Sequence, residues 1–340
     1  MNAYTVGRRP LFREKEGAIP NTLVLAWTSL GWILSFWLMG LDNIAINAIG
    51  VLLCVQTMIL AAYLMHEAAH ATLFSSLSAN RYIGEWMNFI AGSCYASFER
   101  IRHMHIRHHR ERADVTCFDF KGLMRRHPLL RRALFILEWA YIPATEVVMH
   151  LQVIWRPFFV RSQRKFLKRS ALMLISRGAL LTALAIWSVK ALLLYILSYG
   201  LFLHVLNFFD AFHHTFDQYF VDAKQPLPPH SRDRKYEQAN TYSNLISADL
   251  PILNLLTLNF GYHNAHHERA SVPWYRLPAA HRELYGETHQ AVMPLRELMV
   301  TWHRNRVSRV YSSDYGVPGQ GESRADGFVG AHGVSFLTVI

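Results

Sequence analysis

Cysteine is scarce: the 340 residues hold three, Cys54, Cys94 and Cys117, with no Cys-x-x-Cys pair. That excludes a disulfide framework and a thiolate-held zinc or iron–sulfur site. Charge is scarce too, at 17% Asp, Glu, Lys and Arg against 51% hydrophobic residues. Carboxylates are the scarcer sign, 24 against 35 Lys and Arg, for a net charge of +11. In a soluble chain this excess would point to nucleic acid. The apolar runs described next give it a better explanation in membrane topology, so no nucleic-acid partner is expected. A cleavable signal peptide is not expected either, because the polar, basic start to Glu16 leads into an apolar run too long for one.

What is abundant is apolar length. Asn21–Met39 and Ile44–Met65 each approach the ~20 residues needed to cross ~30 Å of hydrocarbon, and only Gly40-Leu-Asp-Asn43 separates them. They read as a hairpin. Ala171–Phe209, interrupted near Ser188-Val-Lys190, reads as a second hairpin, with Arg177 close enough to its start to snorkel to the headgroups. Tyr82–Phe98 and Ala133–Trp155 are apolar but interrupted by Glu85, Asn88, Glu138, Pro143, Glu146 and His150. They are expected to be interfacial or re-entrant. Of the 35 Lys and Arg, 33 fall outside the two hairpins; Lys190 and Arg177 are the exceptions. By the positive-inside rule both termini are then cytoplasmic. The expected fold is an all-α integral membrane protein: four transmembrane helices in two hairpins, interfacial helices, and a cytoplasmic helical cap. Residues 1–19 form a cytoplasmic N-terminal segment, 20–310 a single membrane domain, and 311–340, rich in Gly and Ser, a disordered tail.

Histidine is also abundant, with 19 residues. Two copies of His-x-x-His-His occur, His105-Ile-Arg-His108-His109 and His263-Asn-Ala-His266-His267, beside a third cluster, His66-Glu-Ala-Ala-His70. At this histidine content a random chain carries about one His-x-x-x-His but roughly 0.06 copies of the doubled box, so the doubled box is the specific signal. Residues four apart share a helix face, so His66 and His70 project together from the end of the second span, and each doubled box offers three imidazoles. Neutral imidazole suits iron, zinc, copper or nickel, and eight of them saturate two ions rather than one. The end of the fourth span, Asp210-Ala-Phe-His213-His214, adds a ninth candidate. His214 is favoured over His213 because it lies four residues from Asp210, a candidate carboxylate to orient a ligand imidazole. Glu67 is a second such carboxylate. No catalytic group beyond the metal ligands is expected. His127, His150, His230, His281, His289, His303 and His332 read as ordinary satisfied polar residues, and His204 as a hydrogen-bonding residue inside the bundle.

In this order around four spans, His66-Glu-Ala-Ala-His70, His105-x-x-His-His109 and His263-x-x-His-His267 resemble the three histidine boxes of integral-membrane fatty acid desaturases and related hydroxylases. The resemblance covers roughly residues 40–285. Thr241-Tyr-Ser and Leu253–His267 are similar to the third-box region of the sphingolipid desaturase branch, and Pro273-Trp-Tyr-Arg-Leu-Pro278 to bacterial lipid desaturases. The resemblance implies a di-iron centre held mainly by histidine, two ferrous ions with dioxygen as co-substrate, and a fatty acyl or lipid substrate. It also implies electrons from an external ferredoxin or cytochrome with its reductase. His214 matches the family's additional histidine by spacing. Desaturation is the expected outcome; oxidative decarboxylation of a free fatty acid to a terminal alkene, or hydroxylation, begins with the same hydrogen abstraction.

Other readings attach to particular residues. His66-Glu67-Ala-Ala-His70 is also the His-Glu-x-x-His signature of zinc metalloproteases, which would make Glu67 a general base but leaves six box histidines without a task. Arg100, Arg102, Arg107, Arg110 and Arg112 interleave with the second box and suit either an anionic headgroup or a basic loop on anionic lipid. Trp27, Trp32, Phe36 and Trp37 suit either substrate walls or lipid-facing packing.

Overall fold

The computed structural model describes residues 10–116, 118–221, 226–286, 290–332 and 337. Cys117, His289 and the first nine residues of the N-terminal segment lie outside them. Among the described residues, four helices are long and apolar enough to span a bilayer: α1 (Ala18–Gly40), α2 (Ile44–Ala69), α8 (Leu167–Trp187) and α9 (Val189–Ala211). At ~1.5 Å per residue, even the shortest, 21 residues, is about 31 Å long, enough for ~30 Å of hydrocarbon. Their outer faces carry bare apolar side chains such as Leu30, Leu52, Ile175 and Ile186, which only lipid tolerates over so large an area.

Each hairpin turn is held by its own side chains. Asn43 caps α2, its Oδ1 accepting from the Ala45 and Ile46 amides. The Asn47 amide group donates to the carbonyls of Leu38, Met39 and Leu41, closing the frayed end of α1. Ser188 caps α9. Lys190 donates to the Leu41 carbonyl and meets Asp42 at 3.2 Å, tying the two turns together at one end of the bundle. Gly50 lets α1 and α2 approach closely: a Cβ there would lie 3.0 Å from the Leu38 side chain and the Met39 backbone.

Neither of the two ambiguous apolar segments is among the four helices long and apolar enough to span. α3 (Leu77–Ala91) stops at Gly92, which takes a left-handed φ of 82°. The irregular chain beyond it is buried in protein and internally bonded, Asn88 to the Ala96 carbonyl and Ser93 to Asn88, the condition under which non-helical backbone survives at membrane depth. Arg177 does not snorkel. It is 7% exposed and donates to the Phe89 carbonyl in the last turn of α3 and to the Tyr195 hydroxyl. A cation is favourable there because a helix C-terminus is negative. Arg169 pairs with Glu85 at 2.6 Å and anchors α3 from a second side.

The Ala133–Trp155 segment is two helices, α6 (Pro128–Trp139) and α7 (Ala144–Phe159). Tyr141 at φ 61° and Pro143 break the chain between them, and Glu138 accepts from the Thr145 amide at the start of α7. The remaining cap comprises α4 (Phe98–Glu111), α5 (Phe120–Arg126), α10 (Arg234–Ala239), α11 (His263–Glu268), α12 (Leu277–Tyr285), α13 (Leu295–Asn305) and α14 (Ser308–Tyr311). One departure from all-α is a short parallel ladder of β1 (Asp114–Thr116) on β2 (Gln218–Phe220). Where the tail after 311 is described, it packs against the domain. Phe328, Ala331, His332 and Leu337 are buried, with Phe328 packed on Phe212. The tail lacks helical periodicity because it packs as a loop, which periodicity cannot register.

Trp27 and Trp37 face outward, each 55% exposed, whereas Trp32 is buried edge-on to Phe36. His204 is not the hydrogen-bonding residue expected. Its Nδ1 is buried without a hydrogen-bond partner, and its ring packs on Tyr141 and Trp302.

Candidate metal centre

The end of α2 opposite the hairpin turn presents His66 in its last turn and His70 at its cap, ring centroids 4.7 Å apart. α4 brings the second box alongside. Ser97 caps this helix, and Arg102 donates to the Ala69 carbonyl at the end of α2, fixing α4 against it. α11 brings the third box. Asn264, inside that box, accepts from Ser243 and donates to the Thr241 carbonyl, so the short helix is pinned from within.

The imidazoles sort into two groups, each with its ligand atoms within 4.8 Å of one another: His66, His70, His105, His109 and His266; and His108, His214 and His267. A third combination joins His109 and His267 to Glu237. Each doubled box is thus divided rather than presenting three imidazoles to one ion. Adjacent helical residues point about 100° apart, so His108 and His109 serve different groups, as do His266 and His267. His263 sits beside the second group, Nε2 to Nε2 with His214 at 2.8 Å. All nine nominated histidines therefore converge. His213 turns away: it bonds Asn244 at 2.8 Å and stacks on His263. Among the described residues none of His127, His150, His230, His281, His303 or His332 joins either group.

The donor chemistry fits metal ions. In the second group each Nδ1 is occupied from outside: His108 by the Ala113 carbonyl at 2.9 Å, His267 by Glu237 at 3.0 Å, His214 by the Thr241 hydroxyl at 3.2 Å. Thr241 gives its own proton to the Glu237 carbonyl, so it accepts from His214 Nδ1–H. These bonds leave the three Nε2 lone pairs inward, and His267 Nε2 is buried with no hydrogen-bond partner. In the first group Nε2 atoms confront one another directly: His70 and His105 at 2.8 Å, His105 and His109 at 3.1 Å, His109 and His266 at 3.1 Å. Nitrogens at right angles around an ion ~2.1 Å away would lie about 3.0 Å apart. Burial, then the neighbouring imidazoles, holds His105, His109, His214, His263 and His266 well below the ordinary imidazole range. Burial brings His70 and His108 down to about 3. The set is neutral and ligand-competent at physiological pH.

The outer carboxylates overlap in part with those nominated: Glu67 Oε1 lies 3.8 Å from His66 Nδ1. Asp210 lies 4.0 Å from His213 Nδ1, and His214 Nδ1 meets the Thr241 hydroxyl. Glu67 accepts from the Thr72 hydroxyl at 2.6 Å and the Trp274 amide at 3.1 Å. It clamps the chain after the third box to α2 and is not held ready as a base. Glu237 is the carboxylate that sequence reading missed, joining His267 to Arg112 at 2.6 Å. Burial alone would raise it, but those two partners leave it below the usual carboxylate range. Asp114, fully buried 3.7 Å from His108 Nδ1, was missed as well. A carboxylate within a few residues of a box was the available signal for Asp114; none pointed to Glu237. The arginines around the second box are engaged locally, Arg107 and Arg110 by Glu111 and Arg112 by Glu237.

The fatty acid desaturase family model matches residues 42–298, from the first hairpin turn through the third box and beyond. The chain belongs to the fatty acid desaturase family. Comparison with curated proteins gives no match. As a family member with four apolar spans, this desaturase-family chain is a membrane oxidoreductase of lipid metabolism. The zinc-protease reading falls with that assignment and with the commitment of Glu67 to Thr72 and Trp274.

Proposed function

We propose that this protein uses dioxygen to introduce a carbon–carbon double bond into a fatty acyl chain or lipid at a pair of iron ions. The observation that supports this best is the division of nine buried or half-buried imidazoles into two adjoining groups beside a lipid-facing bundle. His66, His70, His105, His109 and His266 would hold one ion, and His108, His214, His263 and His267 the other. Iron with dioxygen supplies the oxidant that no side chain can, strong enough to take hydrogen from an unactivated methylene. The balance is one acyl –CH2–CH2– plus O2, two electrons and two protons, giving –CH=CH– and two waters. The electrons come from an external ferredoxin or cytochrome and its reductase.

The chain's own residues do three things. Glu237, Thr241 and the Ala113 carbonyl hold Nδ1 protons so that each Nε2 faces inward. Phe260 packs edge-on to His66 and His213 and helps keep water from the cluster. α2, which carries ligands at its end, and α9, which ends just before His214, bring an acyl chain lying in the bilayer within reach of the cluster. With 33 of 35 basic residues outside the hairpins, the histidine end and both termini are on the cytoplasmic side.

Expression in a host, with mass spectrometry of its lipids and headspace volatiles, tests the reaction. A new internal double bond that needs oxygen and vanishes in His108→Ala and His266→Ala supports it. A one-carbon-shorter alkene or an alcohol would replace it with decarboxylation or hydroxylation, and variants that keep turnover would sink the ligand assignment.

A further inference from the structure

The family match ends at residue 298, yet the chain beyond it returns to the metal centre. After α14 it forms a loop closed by an antiparallel bridge between Gly316 and Phe328, with the Val329 and Gly330 amides donating to the Tyr315 carbonyl. Phe328 is fully buried, 5.1 Å edge-on from Phe212, and its carbonyl accepts from Thr301. Arg309, 1% exposed, lies 3.9 Å over the Trp302 ring and donates to the carbonyls of Trp302 and Val329. The Ala331 amide then donates to the Ala211 carbonyl at 2.8 Å.

That last bond falls where α9 ends. A helix leaves its final carbonyls without intrahelical partners, and Ala331 supplies one just before the chain turns out to His213 and His214. Gly330 makes the approach possible. It sits at φ 86°, and a Cβ there would lie 2.8 Å from the Ala211 carbonyl oxygen and 3.0 Å from the Phe212 ring. On the other side His214 is held by its bridge to Thr241 and by Thr215 bonding Asn240. The turn carrying His214 is therefore gripped from both sides. The five-histidine group is carried by α2, α4 and α11, which none of these bonds touches.

We propose that Phe328–Ala331, fixed by Arg309, is a strap that positions His214, making a segment outside the family-matched region part of the second ion's site. Gly330, Phe328 and Arg309 are positioning residues: they act through the backbone at Ala211–Phe212. The inference rests on the two-ion reading above.

The test is anaerobic Fe(II) loading of the full-length protein in detergent, with metal counted per chain and each ion challenged by a chelator. The wild type should hold two ions. Gly330→Ala and Phe328→Ala should hold one tightly and release the other at about 10–100-fold lower chelator concentration, while Phe328→Leu restores the second. In a His214→Ala background, Gly330→Ala should have no further effect on metal affinity. Two tightly held ions in Gly330→Ala and Phe328→Ala would overturn the strap while leaving the metal reading intact. Loss of both ions together, or an added loss in the His214→Ala background, would overturn it in favour of a general folding role. Fewer than two ions in the wild type would sink the metal reading itself, and the strap's role with it.

Discussion

Glu237 Oε1 accepts from His267 Nδ1 at 3.0 Å while its other oxygen takes Arg112 Nε at 2.6 Å. One carboxylate thereby joins the third box to the residue that ends α4, the helix of the second box. The two boxes are 158 residues apart, from His105 to His263, and this bond is one of the few polar links that set their mutual orientation. Glu237→Ala should free the His267 ring to rotate and weaken the second ion about 10–100-fold. Glu237→Gln, which keeps an acceptor, should lose less. Chelator competition on the loaded protein checks both; equal affinity for Ala and wild type would remove Glu237 from the site.

His109 belongs to two of the three candidate ligand groups, whereas His70 belongs to one. His109 also stacks on His267 at 4.2 Å, so His109→Ala should empty the first ion's site and weaken the second through His267, whereas His70→Ala should affect the first alone. Metal per chain separates them; identical losses would mean the grouping is wrong.

Arg177→Met should take one of two donors from the Phe89 carbonyl, which keeps the Gly92 amide, and the guanidinium donor from the buried Tyr195 hydroxyl. A buried polar group left unsatisfied costs about 1–3 kcal/mol, so the unfolding temperature in detergent should fall and α3 should become sensitive to protease. The histidines lie on other elements, so metal binding at low temperature should persist. A normal melting temperature would contradict the capping role.

Acid should destabilise the metal-free protein in a definite window. His70, His108 and His213 are lowered by burial to about 3, from an unfolded value of 6.5. A depressed histidine takes up its proton in the unfolded chain first, so its contribution is complete above pH 6.5 and declines as pH falls toward 3. Apparent melting temperatures measured from pH 7.5 to 4.5 should decrease steadily below about 6.5. A flat profile would show that these rings are solvated in the metal-free state.

The four spans and the three boxes are visible in the sequence because they are local. An apolar run of about 20 residues and an i, i+4 histidine pair mean the same thing wherever they occur. The same local rule does not reach His214: a spacing of four from Asp210 predicts a shared face, but His214 lies beyond the end of α9, where helical spacing no longer applies. The place of Arg177 cannot be read along its own helix, because its partner carbonyl is on another.

By itself, then, the sequence determined that this is a membrane-spanning α-helical chain with enough imidazole for two ions, since hydrophobic length and residue type need no partner to be read. Only the tertiary structure decided how the imidazoles divide into groups, that Glu237 bonds the His267 ring, and that the tail packs against the end of α9. Those outcomes depend on which side chains from distant segments meet in a water-poor interior, where an unpaired polar group is costly.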